Sequence, residues 1–211
     1  MNQNIMHRLI IMLLLLIAIA GCVKLERPSP VKRRFMLDMP KREACYIASN
    51  KAPTLKVRPV LTFPGYDAKG FVYCRGDGVY ESDFYNEFFI SPCEIITGAV
   101  SQWLNGSGIF RYVVGFSSYT EPSFILEGTL VGMYGDYSDK KRPKAVMALE
   151  FLLIDDSTPT PEVLMKKEYR KEIDLAGSSS SYALVKGWGK ALEAILVVLE
   201  KDIKLVLDKE H

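Results

Sequence analysis

Histidine is almost absent: of two in 211 residues, His7 falls in an apolar leader and His211 is the last residue, where chains usually fray. The stretch between them has no imidazole. That excludes triad serine hydrolases, papain-like thiol enzymes and most catalytic zinc sites in their common forms. A charge excess of one sign is also lacking. The chain holds 27 Lys+Arg against 25 Asp+Glu, and residues 1–21 contain one Arg and no acid, leaving 26 against 25. So balanced a surface argues against a nucleic-acid partner. The four cysteines show no CxxC or other metal-like spacing, so neither a metal nor a cofactor is expected. The acid pair Asp155-Asp156 lies in a polar segment holding Pro159 and Pro161, between two strand-like runs. Solvated loop carboxylates are the better reading, and no enzyme is expected.

What is present begins at the amino terminus. Arg8 gives a short positive start, and Leu9–Ala20 follows as twelve apolar residues. At about 1.5 Å per residue these span about 18 Å, short of the roughly 30 Å hydrocarbon core of a bilayer. A signal peptide over residues 1–21 is therefore expected rather than a membrane span. It ends in Ile19-Ala20-Gly21-Cys22, an order that resembles the bacterial lipoprotein box. The resemblance implies cleavage between Gly21 and Cys22, diacylation of the Cys22 thiol and acylation of the new amino terminus. Residues 22–34, with Pro28 and Pro30, read as an acylated end and an extended tether. The basic residues of this tether serve solubility or touch anionic head groups or a partner. With Cys22 carrying lipid, Cys45, Cys74 and Cys93 remain. Either a Cys45–Cys74 bridge forms in an oxidising compartment, or all three act as small buried apolar side chains.

A single domain is expected over residues 35–207. Arg34–Asp38 and Leu55–Val60 read as strands, the second alternating apolar and basic residues. Gly70–Arg75 and Val79–Glu81 flank Gly76-Asp77-Gly78, a hairpin turn. That turn outweighs any adhesion-motif reading of Arg75-Gly76-Asp77. Ser91-Pro92-Cys93-Glu94 has the order of a capping box with proline at N1, opening a helix that ends at Asn105-Gly106. Further strands are expected at 110–117, 124–134, 145–154 and 162–173. Gly128, Gly132 and Gly135 suggest bulges or strong curvature in the second of these. The last helix, about 181–207, places Tyr182, Val185, Trp188, Leu192, Ile195, Leu196, Leu199, Ile203 and Val206 on one face. Strands, helix, strands, helix with short connections predict an α+β fold: a mostly antiparallel sheet with both helices packed on one face.

The lipobox, the aromatic-x-leucine start Phe35-Met36-Leu37, the Leu55–Val60 strand, the hairpin with Val72-Tyr73, and the run Phe84-Tyr85-Asn86-Glu87-Phe88-Phe89-Ile90-Ser91-Pro92 follow one another in an order. That order resembles the ABC-type transport auxiliary lipoproteins. Members often carry Trp shortly before the helix, where Phe88-Phe89 stands here. The resemblance implies a non-catalytic lipoprotein acting beside MCE-domain proteins and ABC transporter components to move phospholipid or other hydrophobic molecules across the envelope. Val23 after the cysteine implies the outer membrane under enterobacterial sorting. Phe88, Phe89, Trp103 and Trp188 are the candidate contact residues for a partner or ligand. A hydrophobic-ligand carrier and a structural lipoprotein of outer-membrane or secretion assembly are the alternative readings.

Overall fold

A computed structural model describes residues 31–38, 51–63, 66 and 69–209, together with the isolated positions 3, 6–8 and 12. Cys22, Cys45 and most of the proposed tether therefore lie outside the described residues. The chain divides into two compact units, Met1–Val31 and Lys32–His211. In the first, Gln3, Met6–Arg8 and Met12 are helical. Among the described residues no helix is long and apolar enough to cross a membrane.

The second unit is an α+β fold built on a nine-stranded mixed sheet. The strands are β1 (Arg33–Phe35), β2 (Thr54–Val57), β3 (Leu61–Thr62), β4 (Gly70–Cys74), β5 (Tyr80–Phe88), β6 (Tyr112–Gly115), β7 (Phe124–Asp136), β8 (Lys144–Asp155) and β9 (Glu162–Asp174). Helix α1 (Pro92–Asn105) separates β5 from β6, and α2 (Ser181–Leu207) closes the unit. The long ladders, β7 with β8 and β8 with β9, are antiparallel, as is β4 with β5. Along its other side β7 takes three short parallel partners in succession: β2, β3 and the end of β4. β1 lies parallel to β5 and β6 parallel to β2, each outermost in its arm of the sheet.

Alternation along the strands decides what is buried. Leu126, Gly128, Leu130, Met133 and Gly135 of β7 stand opposite Leu153, Phe151, Leu149, Met147 and Ala145 of β8. This face carries the helices. A register shift between Leu130 and Gly132 marks a bulge, which lets the same face continue on odd-numbered residues. Helix α2 comes closest at Gly187, where a Cβ would stand 2.6 Å from the Ala145 methyl. Trp188 donates from Nε1 to the Tyr134 and Val146 carbonyls at 3.2 Å each. Helix α1 joins the same core through Ile95, Ile96, Val100 and Leu104, and Val60 N donates to Thr97 Oγ1 at 2.9 Å.

Several local expectations are corrected. The strand expected at 55–60 stops at Val57, because Pro59 cannot donate to a ladder; β3 resumes at Leu61. β5 runs on to Phe88, well past Glu81. The first strand starts at Arg33, inside the range read as tether. Ser91 occupies the N-cap of α1, yet its side chain accepts no cap hydrogen bond, and Glu94 is exposed. Gly106 is right-handed at the end of α1, and the left-handed turn falls at Gly108 (φ 74°). On α2, Tyr182 is exposed and Val206 half-buried, while Leu184, Ala191 and Leu207 complete the buried stripe. The 76–78 turn is as read, with φ of 96°, 50° and 75° at Gly76, Asp77 and Gly78.

Candidate interaction surfaces

The four aromatic residues singled out from sequence do not form one site. Phe88 and Trp188 are core. Their rings lie 5.5 Å apart, with Phe71 at 4.8 Å and 5.0 Å from them, and Phe35 caps the cluster 5.1 Å from Phe71. Trp103 is buried elsewhere, between the helices, where its Nε1 donates to Glu200 Oε2 at 2.8 Å. Phe89 alone of the four is on the surface, 57% exposed. Cys74 and Cys93 are free thiols, half-buried, and burial pushes the Cys93 thiol up.

The carboxylates whose acidity is altered serve the fold. Burial alone would raise Asp83, but hydrogen bonds from Tyr73 Oη (2.6 Å), Asn86 Nδ2 (2.6 Å) and the Tyr85 and Asn86 amides prevail and lower it. Asp202 is lowered in the same way, burial being outweighed by Lys167 and by Tyr169, which fastens β9 to α2. Asp155 accepts from Ser157 N at 2.8 Å, closing its own turn, and the Asp156 amide donates to the Ser123 carbonyl. Among the described residues no group of three His, Cys, Asp or Glu side chains converges as a metal site would.

A group with a depressed folded pKa contributes stability above its unfolded value, about 3.9 for Asp, and that contribution is lost as pH falls through the lower folded value. Asp83→Asn removes the anionic acceptor under four donors and is expected to cost about 1–3 kcal/mol at pH 7. Urea denaturation at a series of pH values checks this. The deficit should shrink as pH drops below about 4, and a deficit constant with pH would show that Asp83 acts through shape alone.

Among the described residues, three surfaces stand out. A cleft of about 280 Å³ lies beside the helix pair, between Pro53, Ile109 and Phe124 on one side and Glu200, Lys204 and Leu207 on the other. A groove of about 340 Å³ opens on the sheet face away from the helices, lined by Arg58, Pro59, Leu61, Phe116, Glu127 and Thr129. Arg58 pairs with Glu127 and its guanidinium stands 5.9 Å from the Phe116 ring centre. Leu61 and Phe116 are 68% and 59% exposed. The third surface is the β1–β5 edge, where Phe84, Tyr85 and Phe89 stand out among basic residues. None of the groove residues was singled out from sequence. Their meeting depends on Phe116, beyond β6, and Leu61, on β3, flanking β7 and β2. Phe84-Tyr85 was a readable signal: two consecutive aromatics in a strand cannot both point into the core.

No family model matches the sequence, and no curated protein does. Solved structures share the fold. A Xanthomonas campestris protein of family DUF330 is similar with a TM-score of 0.68 and 14% identity, covering 80% of this chain and 94% of that one. An uncharacterized protein follows at TM-score 0.61 and 16% identity, covering 77% and 99%. A hypothetical protein of Chlamydia trachomatis has TM-score 0.51 and 10% identity, covering 70% and 95%. At these identities the likeness establishes the fold alone.

Proposed function

We propose that this protein is a non-catalytic lipoprotein, anchored through acylated Cys22 and facing the periplasm from the outer membrane. There it serves as an auxiliary component of an ABC/MCE-type system that moves lipids or other hydrophobic compounds. The observation that carries the reading is Ile19-Ala20-Gly21-Cys22 after a twelve-residue apolar run too short to span, followed by a separately folded unit. The ordered resemblance along residues 33–205 supports the transport role. The altered carboxylates, tied into structural hydrogen bonds, fit a domain that binds rather than reacts.

The space between α2 and the sheet bears on the carrier alternative. Where Phe71, Phe88, Met133 and Trp188 meet, about 10 Å³ is open, roughly enough for one water and far too little for an acyl chain. The larger cleft at Phe124 and Leu207 is lined in good part by charged and polar residues, among them Glu200, Lys204 and Asp208. Docking to a protein is therefore preferred over lipid held between helix and sheet. The groove at Leu61 and Phe116 is the surface we assign to the partner, its apolar walls flanking a charged pair as a protein interface does.

In-cell photo-crosslinking from position 116 in the intact lipoprotein tests this. An MCE-domain protein or a transporter component should be captured, and crosslinking from Tyr182, exposed on α2, should capture several-fold less. A β-barrel or secretion pore captured alone would move the assignment to envelope assembly. Lipid without protein would favour the carrier.

A further inference from the structure

The β1–β5 edge gathers a set of side chains that the proposed docking groove does not use. Lys32 sits with its Nζ 4.6 Å from the centre of the Phe84 ring, and Phe84 meets Tyr85 edge-on at 5.3 Å. Lys32 and Arg34 share one carboxylate, Glu87, at 3.1 Å and 3.0 Å, so two cations stand over one anion. Arg33 and Lys69 are exposed alongside, as are Met36 and Phe89; Lys69 Nζ reaches the Phe89 carbonyl at 3.1 Å. The acids near this edge are Glu87, the half-buried Asp83 with its lowered carboxyl, Asp38 beyond β1, and Glu81 earlier on β5, which pairs with Arg75 at 2.7 Å. Phe84 is 68% exposed. Protruding aromatics among an excess of Lys and Arg are what the head-group region of an anionic bilayer accommodates.

Chain length points to the same occupant. Ten residue steps separate Cys22 from Lys32, a reach of at most about 35 Å at full extension. β1 begins at the next residue, so this edge is the part of the folded unit closest along the chain to the acyl anchor. A protein strand adding to the edge would find little regular backbone to pair with: β1 has three residues, and next to it on β5 the Tyr85 and Asn86 amides are taken by the Asp83 side chain.

We infer that the β1–β5 edge is a membrane-contact face, with Phe84, Tyr85 and Phe89 seated in the head-group layer and Lys32, Arg33, Arg34 and Lys69 against anionic phospholipid. This rests on the lipoprotein reading proposed above. It sets the orientation of the domain: the opposite arm of the sheet, ending in β6, faces away from the bilayer.

The test uses the full acylated protein in vesicles of phosphatidylethanolamine and phosphatidylglycerol containing brominated phospholipid. Two variants are compared, Phe84→Trp and Tyr119→Trp; Tyr119 is fully exposed in the loop after β6. After subtraction of the native Trp103 and Trp188 emission, the Trp at 84 should lose roughly half its emission to the bromines, which lie within the depth of about 5–10 Å that an interfacial side chain reaches. The Trp at 119 should lose little. Equal quenching at both positions, or none at 84, would overturn the inference, as would capture of a protein by a photo-crosslinker at 84. The mass of the Cys22 peptide separates the two levels. An unacylated Cys22 ends the lipoprotein reading and this inference with it, whereas an acylated Cys22 with an unquenched Trp at 84 ends the inference alone.

Discussion

Cys22→Ala is expected to abolish incorporation of labelled palmitate and to leave residues 1–21 on the chain. The effect should be all-or-none, because the thioether needs a thiol and the processing protease acts on the lipidated cysteine. Each buried methylene of an acyl chain contributes about 0.8 kcal/mol to membrane attachment, so a diacylated and N-acylated terminus anchors firmly. The retained leader of the variant holds twelve apolar residues, enough to associate with a membrane but too few to span it stably. Carbonate washing should accordingly release most of the variant and little of the native protein. Palmitate labelling that survives the substitution, or a native chain whose mature mass shows no lipid, would remove the basis of the proposed function.

The second large effect concerns Trp188. Its side chain is fully buried against Phe71 and Phe88, and its indole N–H serves two carbonyls on adjacent strands of the sheet. Trp188→Ala opens a cavity where α2 meets β7 and β8, and such truncations cost about 3–5 kcal/mol. That is a large part of the 5–15 kcal/mol typical of a domain. Trp188→Phe retains much of the packing and loses the N–H donor, so about 1–3 kcal/mol is expected. Urea midpoints at unchanged m-value measure both. Equal losses for the two variants would mean that packing around the indole contributes less than its hydrogen bonds. Trp103→Phe offers a comparison at the other tryptophan, where the donor meets a carboxylate between the helices instead of sheet carbonyls.

Trp188 also shows how partial a linear reading of contacts is. Its position on the buried stripe of α2 was legible from three- and four-residue spacing. Its partners were not, since Tyr134 and Val146 lie 54 and 42 residues away. Phe88 and Phe89 are neighbours with opposite fates. Strand alternation requires that one point inward, but which one depends on the pairing of Phe35 with Phe88 across β1 and β5. The Ser91 capping box formed only in part: the serine stands at the N-cap, but its side chain makes no cap hydrogen bond. The groove at Leu61 and Phe116 needed both β3 and the end of β6 to be placed around β7, which no local pattern could specify.

By itself the sequence determined what depends on near neighbours or on covalent chemistry. The order Ile19-Ala20-Gly21-Cys22, on which the proposed acylation rests, is a run of four residues. The left-handed turn at 76–78 follows from the conformational freedom of its glycines. The span of α2 follows from its apolar period, and Ser180 caps it by accepting from Ala183 N. The long β7–β9 meander follows from period-two alternation and short connections. Tertiary structure alone decided which aromatics became core and which became surface. It also decided the parallel seating of β2, β3 and β4 along β7, and which residues meet in the groove at Leu61 and Phe116. Those outcomes are set by pairing between strands and packing against helices distant in the chain, where the burial of each side chain depends on all the others at once.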